Sequence, residues 1–516
     1  MCLDSMKTLG AWMDLEKKCS LLGLNPHSVL LHQKRIKEAL TGGVVPMIPI
    51  EDTCRLDNGG LIPIDSLMSA GHKADGYVAL VPAAGAASRY LSVFSELVSS
   101  CKSGDLDKLK EASFQFKERY PNWGSWLTSA PIRRVVAVQD HSALSQQQLH
   151  DFIDAVELPK ALMPCSVDGA TFIEVKSFEH ARIPGVVGQA FVVAPQFEKA
   201  INGFIEESSA FKLLPSMTLV QGSYLSTLRF DSEGEAILRD NELSPVPAGH
   251  GTLTELFSEA GSSFDHCHSL FIRNVDNVSG GNPESRLVAE KLLSFHQELL
   301  SLVASVRRLL AKKDEPADCV TKIASLLNVE LGPCAPILEN LTKIQINGFH
   351  TPPLLLEPDD NETAWDRLVS LYNRPLNILG QVPNLGCDVG GTAVFTKGPY
   401  GTEVICLEIP HASEEDVDNF LKRSEKATHF NPVFCCAEIP EDALYYKNYE
   451  ADVPWLLAKK QFMGERVYYH ETVLYELIGS SRISNVVFVE VPRSVFNPHK
   501  SIVDCVGLTL KELMEP

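Results

Sequence analysis

Between Tyr77 and about residue 280 the chain alternates short apolar runs with helix-compatible segments. Tyr77-Val78-Ala79-Leu80-Val81 is the clearest run. Arg134 to Val138, Ala190 to Ala194, Met217 to Val220 and Ser269 to Ile272 follow. Read as strands, these runs interleave with helices, and that order predicts an α/β fold with a sheet covered on both faces. At 516 residues the chain has length for about three domains or one elaborated core, with no need of disulfide or metal staples.

Punctuation divides the chain into four blocks. Residues 1–75 read as a helical lead-in followed by loops, punctuated by Gly42-Gly43 and Asn58-Gly59-Gly60. Residues 76–282 carry the alternation. At Asn282-Pro283 a long helix is expected to open, with Asn as cap and Pro in the first turn. Leu292, Leu293, Leu299, Leu300 and Val303 give it an apolar stripe, and a second helix near 316–328 would complete a helical hairpin over 283–345. Residues 346–516 read as mixed β structure closed by a short helix near 509–514.

The charge balance excludes some functions. Acidic residues number 66 and basic residues 46, a net charge of −20, so general binding to nucleic acid or an anionic membrane is not expected. No stretch approaches 18 uninterrupted apolar residues, and the N-terminus lacks the apolar core of a signal peptide. The 13 cysteines are scattered without a C-x-x-C, which reads as reduced thiols in a cytoplasmic protein. His266-Cys267-His268 offers two ligands two residues apart with no further partner nearby, too few for zinc.

Five constellations suit phosphate chemistry. Ala84-Gly85-Ala86-Ala87-Ser88-Arg89 follows the first strand, and its small residues would let backbone N–H groups approach an anion, with Arg89 adding a charged contact. An alanine-packed strand-to-helix turn explains the same residues. Lys160 sits between Pro159 and Pro164, placed as a point charge for phosphate or as a solvated surface lysine. Gln221-Gly222 and Gly249-His250-Gly251 could pass under a flat ligand such as a base or ribose, or could form turns. Asp276 ends the Ser269–Ile272 run, at the sheet edge where ligands bind, and one carboxylate there suits Mg²⁺ completed by substrate phosphates; an Asx turn is the alternative. Arg493 and Lys500 lie on a Pro-stiffened loop after the run 485–491, two cations that suit a diphosphate.

The order of these motifs resembles the nucleotidyltransferase-like (GT-A) sugar-nucleotide pyrophosphorylases, especially the UDP-N-acetylhexosamine branch. Their loop reads roughly G-G-x-G-T-R; here Ala84 and Ala87 replace two glycines, Ser88 replaces Thr, and Arg89 matches. Lys160 stands where that family has its phosphate-contacting lysine, and Asp276 where it has its Mg²⁺ aspartate. Gln221, Gly249, His250 and Gly251 stand at its base and ribose positions, and Glu408 and Asn431 resemble its sugar contacts. Lys500 matches the lysine of F-x-P-x-K-N, with Ser501 for the Asn. A closer resemblance, over about residues 20–510, is to an uncharacterised bacterial family, domain of unknown function 4301. It is carried by Gly249-His250-Gly251, Asn274-Val275-Asp276-Asn277, Gly380 to Gly386, Thr428-His429-Phe430-Asn431-Pro432-Val433 and Phe488-Val489-Glu490-Val491-Pro492.

The resemblance implies a mixed, mostly parallel sheet, with 76–282 as the nucleotide-binding half and 346–516 as the sugar-binding half. It implies a Mg²⁺-dependent reaction of a nucleoside triphosphate with a sugar phosphate, releasing pyrophosphate, with Arg89, Lys160 and Lys500 catalytic. The rival expectation is a non-catalytic nucleotide-sugar sensor, favoured by the Ala-substituted loop. A glycosyltransferase on the same fold is opposed by the lysine box and the lack of a D-x-D. Base, sugar and oligomeric state are left open.

Overall fold

A computed structural model describes residues 15–43, 47–67, 73–85, 87, 89–239, 242–279, 282–311, 369, 372–386, 390–398, 401–449, 455–462, 464–505 and 509. The helices expected near 316–328 and 509–514 lie, Thr509 apart, outside the described residues, as do Ala86 and Ser88. The chain forms two compact units, each assembled from three separate segments.

One unit comprises Lys73–Val220, Phe264–Ser294 and Val491–Pro516. Its sheet has four parallel strands in the order Ser269–Arg273, Tyr77–Pro82, Val186–Val193, Ser216–Val220. Tyr77 to Val81 are fully buried, which is why the run reads as continuously apolar: a parallel strand covered on both faces has no polar side to alternate with. The covering helices are capped as their sequences dictate. The Asp105 carboxylate accepts from Lys108 N at the start of Leu106–Arg119. Ser145 with Gln148, and Thr171 with Glu174, form capping boxes at Gln146–Glu157 and Phe172–Ala181. Tyr90, Phe94, Phe116, Phe152, Phe172 and Phe191 fill the core between them.

The run Arg134 to Val138, expected as a strand, is instead the end of the helix Ala130–Ala137. Ile132, Val135 and Val136 are buried while Arg133 and Arg134 are exposed, a three-to-four-residue period rather than two. Pro131 in the first turn is the start signal that the short apolar run obscures.

The other unit comprises Met1–His72, Gln221–Ser263 and Phe295–Glu490. Here Ile62–Pro63, Asn485–Glu490 and Leu376–Pro383 run parallel, and Phe434–Glu438 lies antiparallel beside Leu376–Pro383. A second sheet pairs Asp52–Thr53, Thr392–Gly398 and Gly401–Leu407. The helix Pro26–Leu40 is capped by the Asn25 side chain. The long helix expected after Asn282 runs Pro283–Ala311, with the side-chain oxygen of Asn282 accepting from Glu284 N. Among the described residues no helix is long and apolar enough to cross a membrane.

Candidate functional site

In the first unit, four segments distant in sequence meet at the C-terminal ends of the parallel strands. Asp276 lies three residues past Arg273, the end of its strand. Lys160 Nζ donates to Asp276 Oδ2 at 2.8 Å and to the His499 carbonyl at 2.8 Å. The Lys160 backbone N–H donates to Gly85 O at 3.1 Å, and His499 N to Asp276 O at 2.9 Å. Two aromatic rings flank the ammonium, Tyr90 at 5.3 Å and Phe172 at 5.2 Å, and add cation–π attraction. The lysine box, the glycine of the small-residue loop, the strand-ending aspartate and the C-terminal loop are thus one cluster. Arg89 and Lys500 lie on two of these segments with exposed side chains.

Beneath Asp276 is a buried ionic layer that motif reading passes over. Lys176 is fully buried and donates to Glu179 Oε2 at 2.7 Å and to the Asn277 carbonyl. Burial pulls its ammonium down to about 8 against the attraction of Glu179. Arg273, also buried, donates to Ser279 Oγ at 2.8 Å and lies 3.9 Å from Glu179. Lys176 and Arg273 thus both lie against the Glu179 carboxylate. Lys176 sits on a helix face among apolar residues, so only its position i−3 to Glu179 hints at the pair.

The alanines of the loop take different places. Ala83 and Ala87 are buried in the hydrophobic core, so the Ala87 methyl faces protein and does not crowd an anion. Ala84 is half-buried, and Gly85 is exposed with nothing within 4 Å of where a Cβ would stand.

The remaining site candidates lie in the second unit. Gly249 has φ +90°, and a Cβ there would meet Thr472 O at 2.4 Å, so only glycine fits. Backbone bonds Thr472 N to Ala248 O and Gly251 N to Thr472 O pin this loop. Leu474 N donates to His250 Nδ1 at 2.9 Å, which puts the proton of neutral His250 on Nε2. That nitrogen lies 3.9 Å from Glu408 Oε1, beyond hydrogen-bond reach, and this oxygen accepts from the Tyr475 hydroxyl. Ala248 and Gly251 line a small pocket with Tyr224, Glu255, Lys447 and His470. Gln221 is half-buried just past the end of strand Ser216–Val220. Asn431 is buried, and its amide is spent on the protein: it donates to Gly380 O at 2.8 Å and accepts from Val433 N at 2.9 Å. Its motif neighbour His429 lies 3.2 Å from Glu490 Oε1, joining the Thr428–Val433 and Phe488–Pro492 segments.

Among the described residues no three His, Cys, Asp or Glu side chains gather as a metal cage. Asp276, 25% exposed with its Oδ2 held by Lys160, offers the one carboxylate that Mg²⁺ can accept when phosphate oxygens and water complete its shell.

The family described as domain of unknown function, DUF4301, matches residues 194–509. The chain belongs to this family. No curated protein matches the DUF4301 chain in sequence. In structure it is similar to UDP-glucose pyrophosphorylase from Leishmania major, in a point mutant in complex with UDP-glucose: TM-score 0.52 at 13% identity, covering 98% of this chain and 79% of that one. It is also similar to a protein from Trypanosoma brucei titled UDP-glucose phosphorylase, with TM-score 0.51 at 12% identity, covering 96% and 78%. At such identities the likeness establishes the fold: the DUF4301 chain is a mixed α/β protein of nucleotidyltransferase-like fold with mostly parallel strands.

Proposed function

We propose that this DUF4301 protein is a nucleotidyltransferase that joins a sugar-1-phosphate to a nucleoside triphosphate. The observation that carries the reading is the convergence of Gly85, Lys160, Asp276 and His499 at the strand ends, with Arg89 and Lys500 exposed on the same segments. An oxygen of the sugar phosphate attacks the α-phosphorus, and the bond to pyrophosphate breaks. The nucleophile is already anionic, so no side chain need remove a proton. Catalysis is then positioning and charge neutralisation. Arg89 and Lys160 hold the triphosphate, and Lys500 offsets charge about the α-phosphate. Mg²⁺ would be held by Asp276 and would neutralise phosphate oxygens as charge redistributes. Gln221 and Gly249 to Gly251 are assigned to the base and ribose, and Glu408 to the sugar. Asn431 would support that region through its backbone contacts.

A second reading, a nucleotide-sugar sensor without turnover, is favoured by the closed Lys160–Asp276 pair, in which the lysine occupies the carboxylate. Pyrophosphate release over a panel of nucleoside triphosphates and sugar-1-phosphates separates the two. Turnover supports the transferase; saturable binding without release supports the sensor.

A further inference from the structure

Next to Glu408 lies a pair of ionisable side chains to which the proposed reaction gives no task. His411 and Glu476 are 0% and 1% exposed, and His411 Nδ1 lies 2.6 Å from Glu476 Oε1. Removing such a pair from water costs more than a surface pair does, and Glu476 Oε2 finds no partner among the described residues. Burial pushes the Glu476 carboxyl up; burial opposes protonation of His411, but the Glu476 carboxyl more than offsets it and holds His411 above its ordinary value.

The contacts of the pair converge on one residue. Glu476 Oε1 also accepts from the backbone N–H of Glu408 at 2.9 Å. The His411 backbone N–H donates to the Glu408 carbonyl at 3.0 Å, closing the turn Ile409–His411. Tyr475, the residue before Glu476, donates its hydroxyl to the Glu408 carboxylate. Glu408 is therefore gripped at its N–H, its carbonyl and its carboxylate, while that carboxylate stays 27% exposed opposite His250. A buried carboxylate binds an N–H more strongly than a neutral acceptor would, and His411 supplies the compensating donor.

We propose that His411 and Glu476 are positioning residues that hold Glu408 opposite His250. The inference rests on the reading above only in taking Glu408 to contact the sugar; the positioning itself is tested without ligand. His250 is the reporter, because its Nδ1 is fixed by Leu474 N–H and its Nε2 faces Glu408. The groups that face it are the Glu408 and Glu471 carboxylates and the Tyr475 ring, whose centroid lies 5.5 Å from that of the imidazole.

The experiment is an NMR titration of His250, assigned by loss of its signal in His250→Gln, in four proteins: wild type, Glu476→Gln, Glu408→Gln and the double variant. Circular dichroism checks folding, and His411→Gln replaces Glu476→Gln if the latter unfolds. Positioning through Glu408 predicts that Glu476→Gln moves the His250 midpoint by about one unit in the wild-type background and leaves it unmoved once Glu408 is Gln. An equal shift in both backgrounds means Glu476 acts on His250 directly, and no shift in either means the pair only packs; each overturns the proposal. In parallel, calorimetry with UDP-glucose should show about tenfold weaker binding in Glu476→Gln and no additional loss in the double variant beyond Glu408→Gln, with UTP affinity unchanged. A coupled His250 titration in a protein that binds no UDP-glucose upholds the positioning and counts against the sugar role of Glu408.

Discussion

Lys160 Nζ sits 2.8 Å from Asp276 Oδ2, with side-chain exposures of 13% and 25%. The same ammonium is bound by the His499 carbonyl and faced by two aromatic rings. The pair therefore ties three segments together and also sets the cation proposed for phosphate against the carboxylate proposed for Mg²⁺. Triphosphate would draw the ammonium off Asp276 and free that carboxylate for the metal. Lys160→Ala should weaken UTP binding, and the difference from wild type should shrink as salt rises, because a charge contact is screened. It should also cost about 1 kcal/mol of stability from the lost tie to His499. Calorimetry at low and high salt checks the first, and denaturant unfolding the second. Unchanged UTP affinity would leave Lys160 a purely structural residue.

The buried layer beneath Asp276 is testable through stability. Lys176→Met removes the partner of Glu179 and of the Asn277 carbonyl and should destabilise the protein by about 3 kcal/mol. The pH dependence has a definite sign. The ammonium is lowered from 10.5 to about 8, so below pH 8 it is charged in both states and the folded state bears the whole desolvation penalty. From pH 8 to 10.5 the unfolded chain keeps a proton that the folded protein has released, so stability gained from this group rises by up to about 3 kcal/mol. The difference in unfolding free energy, wild type minus Lys176→Met, should grow across that window. A flat difference would mean Lys176 titrates normally.

Gly249→Ala tests the loop of the second unit. With φ +90° and Thr472 O at 2.4 Å from the added Cβ, the variant must break the pinning bonds to Thr472. A loss of about 2 kcal/mol is expected, with UDP-glucose binding reduced far more than about tenfold. Thermal unfolding and calorimetry measure both. Full affinity in a destabilised variant would separate the loop from the nucleotide site.

Much of this architecture is legible in the chain because burial writes itself into local pattern. Tyr77 to Val81 reads as a strand since both its faces are covered, and Asn282-Pro283 reads as a helix start since cap and first turn are local chemistry. The helix Ala130–Ala137 reads wrongly as a strand because the apolar run Val135 to Val138 is too short to reveal its period. The loop alanines are visible in the sequence, but not that Ala87 turns into the core. Lys160 and Asp276 are marked by their motifs, yet their meeting with His499 depends on contacts across 116 and 339 positions. Glu476 and His411 carry no motif at all; what marks them is complete burial, which only the folded chain reveals.

The central claim is that the cluster around Lys160 and Asp276 performs phosphoryl transfer. The measurement is pyrophosphate release with Mg²⁺ from each nucleoside triphosphate paired with a panel of sugar-1-phosphates, in wild type and Asp276→Asn. The substitution keeps the side chain's shape and removes its charge. At least one pair should give steady release in wild type, falling by about two orders of magnitude or more in a folded Asp276→Asn protein. Its affinity for the product nucleotide sugar should change little. Wild-type protein that releases no pyrophosphate from any pair, or an Asp276→Asn variant that turns over at the wild-type rate, would contradict the account.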